Sequence, residues 1–489
     1  MTFKPVVVKI ADGMSPREAL RRLADLPYCL LLESSLRNEV LGRFSFLAAD
    51  PVEVQVLTAP TTNPLAAVQA SLNQWKTERV PGLPPFQGGW AGLLGYDLGQ
   101  SFEVLPQVPN GAVKIPVLCL GLFDVVIAWD HLHDECWLIS QGVPETESSH
   151  RQNRAEGRAS QFLERLTSAP SRRAVQPPNK RRPIPNGFSA LDGGCYSNFS
   201  QENYLTAIRR AVEFIRAGDI FQANLSQQIL LEANCDSLGL YDRLAESNPS
   251  TFSGWFDGGD FQVVSSSPER LFQLRGREIE TRPIKGTRRR TKIPMVDISV
   301  IRELETNEKE RAENTMIVDL MRNDFSRICE DESVLVTQWC GVESYESVFH
   351  LVSAIRGRIR PEVTATEIIP AVFPGGSVTG APKIRAMEVI AELEGCSRGA
   401  YCGSLGYFGL SGDCDFNILI RTVTAQAGWW QLPVGGAIVA DSKPEQEYAE
   451  TWTKAAAVLR ACLRNSAPSA PHTTPLVEKD DSLIVEESR

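Results

Sequence analysis

Short apolar runs broken by glycine and proline fill the first 166 residues of the chain, among them "YCLLLES", "FSFLAAD", "VEVQVLT" and "VVIAWD". Runs of this length bounded by turn residues predict strands, so the region reads as mostly β with a few helices. The stretch "RQNRAEGRASQFLERL" changes period and predicts a helix. Residues 167–195 follow. Their "TSAPSRRAVQPPNKRRPIPNG" is rich in proline and arginine and lacks periodic apolar positions, as an exposed connector does. From 196 to 464 strand and helix patterns mix without the regular alternation of a doubly wound sheet, which points to an α+β fold. The final stretch, 465–489, is polar and rich in proline and serine, the composition of a disordered tail.

Two helical patterns carry more charge than a packing helix needs. "ADSKPEQEYAETWTKAAAVLRACLR" opens on Ser442 and Glu445 in capping-box spacing, with Pro444 in the first turn. Within it Glu447, Glu450 and Lys454 stand three and four residues apart and share one face. "NEKERAENTMIVDLMRND" repeats the acidic spacing: Glu310 and Glu313 precede an apolar run that should bury the helix. One such pair alone reads as a salt-bridged surface. Two facing pairs would offer the oxygen-only surroundings that Mg²⁺ prefers, and spacing leaves open whether they meet.

Other segments offer places for an anion. "FPGGSVTGAPKIRAMEVIAELEG" is a glycine-rich loop feeding a helix whose apolar stripe is Ile384, Met387, Ile390 and Leu393 or Ala391, with Gly395 placed to stop it. Ala381 and Pro382 separate Gly380 from Lys383, so the nucleotide-loop spacing fails; loop amides can instead meet carboxylates. Arg421, at the end of "DCDFNILIRTV", presents a planar fork for a carboxylate, and Gly435 with Gly436 lets backbone N–H groups approach an anion. An edge-strand charge and a bulge explain the same residues equally well. His350 lies among apolar neighbours in "YESVFHLVSAI", where a histidine is usually structural. In "TRPIKGTRRR" the pattern predicts a tight turn between strands holding Lys285, with Gly286 allowing close backbone approach to whatever the amine touches.

Composition narrows the classes. With 489 residues, 43% hydrophobic and 22% charged, the chain is an ordinary globular one of roughly two to four domains or one interleaved unit. A net charge of −10 and a pI near 5.3 argue against nucleic acid as a partner. An anionic small molecule would need local cations or a metal ion. No apolar run reaches about 18 residues and no signal-peptide pattern opens the chain, so neither a membrane partner nor export is expected, and a cytoplasmic location is. The eleven cysteines include no C-x-x-C pair and read as free thiols.

Taken in order, "SSPERLF", "TRPIKGT", "RAENTMIVDLMRND", "HLVS", "FPGGSVTGAPK", "CGSLGYF", "FNILIRT" and "GGAIVADS…EYAET" closely resemble the chorismate-utilising enzymes, with weaker similarity in "LLESS", "GRFSFLAADP" and "PFQGGWAGLLGYDLG". The resemblance implies an α+β fold with a large two-sheet antiparallel β-sandwich core, helices outside, and both halves of the chain contributing. It implies Mg²⁺ held by Glu313 and Glu450, supported through water by Glu310 and Glu447. It places the substrate's ring carboxylate at the metal and its enolpyruvyl carboxylate at Arg421, Tyr407 and nearby backbone amides, including Gly403, with Lys454 adding charge. Thr379 and His350 are placed near the ring.

Family branches differ in the nucleophile. Where isochorismate and salicylate synthases carry a water-activating lysine, this chain has Gln222, which cannot act as a base. Anthranilate synthases usually carry alanine in the P-I-x-G-T turn, whereas lysine marks the aminodeoxychorismate branch. Lys285 would then attack ring C2 as the C4 hydroxyl leaves, protonated by Glu269 of "SPER", and ammonia would displace the lysine. A lysine amine free near pH 7 needs roughly 4.6 kcal/mol of environmental bias. No glutaminase segment occurs, so the resemblance implies a separate glutamine amidotransferase subunit supplying ammonia: ammonium salt, but not glutamine, should support turnover. Glu33 and Ser34 of "LLESS" match the tryptophan-binding element of anthranilate synthases, or simply a strand end. An anthranilate synthase component and a non-catalytic chorismate-binding protein are the rival readings.

Overall fold

The four N-terminal apolar runs all form strands: Leu30–Glu33, Phe44–Ala48, Glu53–Leu57 and Val125–Asp130. Three of them are buried along most of their length, with one face against the opposing sheet and one against helices, whereas Glu53–Leu57, at the edge of its sheet, has only exposed and half-buried positions. These elements belong to a computed structural model describing residues 4–10, 13–37, 41–168, 183–191, 194–345 and 348–463. The expected tail at 465–489, and 169–182 and 192–193 of the expected connector, lie outside the described residues.

Among the described residues, thirteen strands form one antiparallel sheet and ten another. The first runs from Val6–Lys9 through the N-terminal strands to Phe252–Asp257, Gln262–Ser267, Thr422–Gln426, Trp429–Ile438 and Gln222–Glu232. The second runs from Ile284–Arg289 through Val348–Arg358, Glu278–Thr281, Arg270–Arg275, Cys414–Asn417 and Ser404–Gly409 to Gly89–Leu94, Leu118–Phe123 and Glu53–Leu57. N-terminal strands enter both sheets: Leu30–Glu33 pairs with Phe252–Asp257, and Gly89–Leu94 with Ser404–Gly409. Between the sheets, Leu30, Phe46, Val126 and Phe256 meet Ala91, Leu93, Phe123 and Leu405. Each such fully buried side chain contributes about 1.5–3 kcal/mol over exposure. Helices Pro16–Leu23, Ser148–Thr167 and Pro444–Leu463 cover the outer face of the first sheet, and Ala66–Gln74 and Glu308–Ser326 that of the second. The expected sandwich with outer helices is therefore the observed fold.

Two of the chain's several passages from one sheet to the other lie side by side. At Pro268 and Glu269 the chain leaves Gln262–Ser267 for Arg270–Arg275; at 418–421 it leaves Cys414–Asn417 for Thr422–Gln426. The Ile418 N–H donates to the Glu269 carbonyl at 3.0 Å, and the Ser266 N–H to the Arg421 carbonyl at 3.2 Å. Arg421 has φ 52°, a left-handed conformation that a long side chain adopts only when its surroundings dictate it.

Three local expectations change. Lys285 lies inside the strand Ile284–Arg289 rather than in a turn; the register shifts between Lys285 and Thr287 as a bulge. Gly286 there has φ +78°, and a Cβ on it would stand 2.6 Å from Glu310 Oε2, so only glycine lets the helix Glu308–Ser326 come this close. In the helix Lys383–Glu394, Gly395 is the left-handed stop as expected, but Ile384 is exposed and Ala386 and Val389 are buried instead. Ser442 does not form a capping box: its hydroxyl donates to Glu447 Oε1 at 2.6 Å, and the helix begins at Pro444.

Candidate active site

Lys285 is the meeting point. Its Nζ donates to the Ser377 carbonyl at 3.3 Å, within the loop before Lys383–Glu394. Burial pushes its ammonium below the ordinary lysine range; Glu313, Glu269 and Glu450 oppose this, while Lys454 acts with burial. One amine thus feels the sheet crossing, the helix Glu308–Ser326 and the C-terminal helix at once. The two acidic pairs lie within electrostatic reach of each other. Burial raises Glu313, with Glu450 and Glu310 adding to the rise and Lys285 and Lys309 pulling it back. Burial also raises Glu447, against its hydrogen bond from Ser442. Glu450, though burial raises it, is held low by its 2.7 Å ion pair with Lys454 and by Lys309 and Lys285.

Glu269 is 4% exposed, and its Oε1 is buried without a hydrogen-bond partner. Burial raises its pKa above the ordinary carboxylate value; the nearby Ser377 side chain, Lys285 and Arg421 pull the other way. The Ser377 hydroxyl is likewise buried and unpartnered. Among the described residues no hydrogen bond or ion pair holds the Arg421 guanidinium, which burial pushes downward against Glu269. His350 accepts or donates at Nδ1 to the Thr287 hydroxyl at 2.8 Å, and burial with Arg421 pushes its pKa to about 4, so it is neutral at physiological pH. Thr379 is fully buried; its hydroxyl donates to the Gly375 carbonyl at 3.0 Å and its carbonyl accepts from the Asn224 N–H at 2.7 Å. Gln222 opens the strand Gln222–Glu232, fully buried with both amide atoms unpartnered.

Gly436 faces the carboxylates: a Cβ on it would stand 3.5 Å from Glu447 Oε2, 3.8 Å from Lys454 Nζ and 3.9 Å from Glu450 Oε1. Gly435 instead serves the ladder, where a Cβ would stand 2.5 Å from the Leu225 carbonyl, and its own carbonyl accepts from Lys454 at 3.2 Å. The orphaned Glu310 Oε2 and the carboxylate-only donor set fit a hard cation such as Mg²⁺. Among the described residues no group of three or more His, Cys, Asp or Glu side chains is placed to hold a metal ion.

Two expected substrate contacts are not brought to this site. Tyr407 is fully buried between the sheets, stacked on Phe86 with ring centres 4.4 Å apart, and its hydroxyl accepts from Arg275 at 2.9 Å. Gly403 spends its N–H on the Ala400 carbonyl at 2.9 Å, and its missing side chain lets the Leu94 carbonyl approach. Tyr407 lines a cavity of about 250 Å³ together with Glu33, Ser34, Arg43, Arg270 and Arg275. There Glu33, raised by burial, accepts from the Tyr241 hydroxyl at 2.5 Å and lies 3.4 Å from Arg17. Ser377 and Lys309 were missed in the sequence. Both stand inside quoted motifs, and Lys309 is four residues before Glu313, an ion-pair spacing that could have flagged it.

This geometry has counterparts. A family model described as chorismate binding enzyme matches residues 29–460. The chain belongs to that family. This chorismate-binding enzyme is 38% identical to an aminodeoxychorismate synthase component 1 from Salmonella typhimurium over 89% of its own length and 93% of the relative's. It is equally 38% identical to an anthranilate synthase component 1 from Thermus thermophilus, over 92% and 96%. Among solved structures, anthranilate synthase component I from Streptococcus pneumoniae matches with a TM-score of 0.73 and 30% identity, covering 87% of this chain and 94% of that one. No helix among the described residues is long and apolar enough to cross a membrane.

Proposed function

We propose that this enzyme converts chorismate and ammonia to 4-amino-4-deoxychorismate, with Lys285 as nucleophile. The observation that carries the proposal is the surroundings of the amine: burial lowers its proton affinity, and a carboxyl raised by burial, Glu269, stands beside it. The neutral Lys285 Nζ forms a bond to ring C2, the ring double bond shifts, and the C4–O bond breaks as Glu269 delivers its proton, releasing water. Ammonia then bonds to C4, the double bond shifts back and the C2–N bond breaks, returning the lysine. Arg421, with no hydrogen-bond or ion-pair partner among the described residues, suits the enolpyruvyl carboxylate as a bidentate fork. Glu313 and Glu450, with Glu310 and Glu447 through water, would hold Mg²⁺, which supplies counter-charge to the ring carboxylate. The neutral amide of Gln222, unable to take a proton from water, favours an amine over water as the attacking group.

Ammonia in this reading comes from a separate amidotransferase subunit; two relatives carry the designation component 1. In this reading the cavity lined by Glu33 and Ser34 would take tryptophan or another amino acid. Equal identity to an anthranilate synthase component 1 supports the rival reading of amination at C2 for the tryptophan branch. Intact-mass analysis after mixing with chorismate and Mg²⁺, without ammonium, tests the nucleophile. An increment on the Lys285 peptide, absent from Lys285→Ala, is expected. Turnover with no increment at any time would overturn the covalent route.

A further inference from the structure

Beneath the Ser377 loop lies an arginine that touches neither the proposed substrate position nor solvent. Arg398 is 2% exposed and grips Glu394 with two parallel bonds, Nε to Oε2 at 2.9 Å and Nη2 to Oε1 at 2.6 Å. Its remaining donors go to main chain: Nη1 to the Val378 carbonyl at 3.2 Å and Nη2 to the Asn224 carbonyl. Glu394 in turn accepts from the Ser226 N–H at 2.7 Å and its hydroxyl at 2.8 Å. The guanidinium lies 4.8 Å from the Tyr96 ring and 5.6 Å from the Tyr401 ring, flanked by aromatic faces.

These bonds tie three pieces together: the strand Gln222–Glu232, the end of the helix Lys383–Glu394, and the turn Gly376–Val378. Val378 is the residue between Ser377, whose carbonyl receives Lys285, and Thr379, whose carbonyl receives the Asn224 N–H. A buried ion pair is weak evidence of stabilisation in itself, because desolvation offsets most of the attraction. Here the fork has a geometric product. It fixes one carbonyl of the turn that carries the contacts of both Lys285 and Glu269.

We propose that Arg398, oriented by Glu394, is a positioning residue that holds the Ser377–Thr379 segment so that the Lys285 amine is aimed at the substrate ring. The inference rests on the reading of Lys285 as nucleophile. It assigns to "EGCSRG" a role in turnover rather than only in packing. A lysine at 398 keeps the charge but cannot reach Glu394 twice and two carbonyls besides.

The test uses the full chain with chorismate, Mg²⁺ and an ammonium salt, comparing wild type, Arg398→Lys, Glu394→Gln and Lys285→Ala. Arg158→Lys is the control, since Arg158 makes a comparable fork to Asp124 at 3.1 Å and Asp50 at 2.6 Å, away from this site. For Arg398→Lys the expected result is a kcat lower by roughly tenfold to a hundredfold with chorismate KM changed less than about threefold, while Arg158→Lys keeps wild-type kcat. If Arg398→Lys shows no cooperative melting, Glu394→Gln, of the same shape, is read by the same split. A folded variant with unchanged kcat, or with only KM raised, overturns the positioning role. If Lys285→Ala turns over at the wild-type rate, the nucleophile reading fails, whatever Arg398→Lys does. If Lys285→Ala is dead and Arg398→Lys is not slowed, only the positioning role fails.

Discussion

Around Lys285 the protein leaves polar atoms without partners, whereas in the cavity beside Glu33 it pairs them with one another. The first group includes Glu269 Oε1, Glu310 Oε2 and the Ser377 hydroxyl, all buried and without a hydrogen-bond partner among the described residues. In the second, Arg270 forks to Asp415 at 3.0 and 3.1 Å, Arg43 to Asp130 at 2.6 Å, and Arg275 reaches the Tyr407 hydroxyl at 2.9 Å. Burying a polar group without a partner costs about 1–3 kcal/mol. Beside Lys285 a bound ligand would supply such atoms with partners, although others occur elsewhere among the described residues, at Trp90, Ser140 and Asp413. A cavity whose charges already satisfy one another is stable without an occupant.

The sharpest way to break this contrast is at the proposed nucleophile, Lys285. Lys285→Ala should lower amination of chorismate by on the order of a thousandfold or more while melting near the wild-type temperature, measured by coupled formation of para-aminobenzoate. Glu269→Gln should cost about 10²- to 10⁴-fold in kcat. Its pH dependence carries a sign: the raised carboxyl is protonated up to a pH above the ordinary glutamate range, so rate supported by the acid falls as pH rises through its pKa. The glutamine variant should lose that limb. By contrast His350, with a pKa of about 4, contributes no limb between about pH 5 and 8, and a His350→Asn profile should keep the wild-type shape there.

A smaller effect is expected for the acidic pairs. Mg²⁺ binding the folded state should raise the melting temperature of the wild type, and the rise should vanish in Glu313→Gln or Glu450→Gln, with kcat/KM falling roughly tenfold to a hundredfold. A melting shift that survives both substitutions would put the ion elsewhere. The smallest effect belongs to the paired cavity. Tyr407→Phe removes the acceptor of Arg275 and should cost about 1–2 kcal/mol of stability in denaturant titration, leaving kcat unchanged. Loss of turnover in a stable Tyr407→Phe protein would mean this cavity and the Lys285 site are not separate in function.

Much of this was legible in the chain. The strands announced themselves as short apolar runs, and the helix faces of Glu310 with Glu313 and Glu447 with Glu450 followed from a spacing of three. Their convergence on Lys285 was not legible, because it depends on two helices far apart in sequence, one packed on Ile284–Arg289 in the second sheet and the other on Trp429–Ile438 in the first. The crossing of Glu269 and Arg421 between sheets was hidden for the same reason: each looks like an ordinary strand end until the register is known. Tyr407 was assigned to the substrate by its motif, yet strand alternation turns it between the sheets, and motif position carries no information about which face a residue takes. Lys285 was expected in a turn because glycine follows it, whereas that glycine serves a bulge against Glu310.

The choice of Lys285 as nucleophile, and of C4 as the carbon aminated, is tested most directly by the product. The purified chain is incubated with chorismate, Mg²⁺ and an ammonium salt, and half of the mixture then receives an aminodeoxychorismate lyase. Para-aminobenzoate appearing only in the lyase-treated half is the expected result. Anthranilate in both halves would contradict it and leave Lys285 without a covalent role.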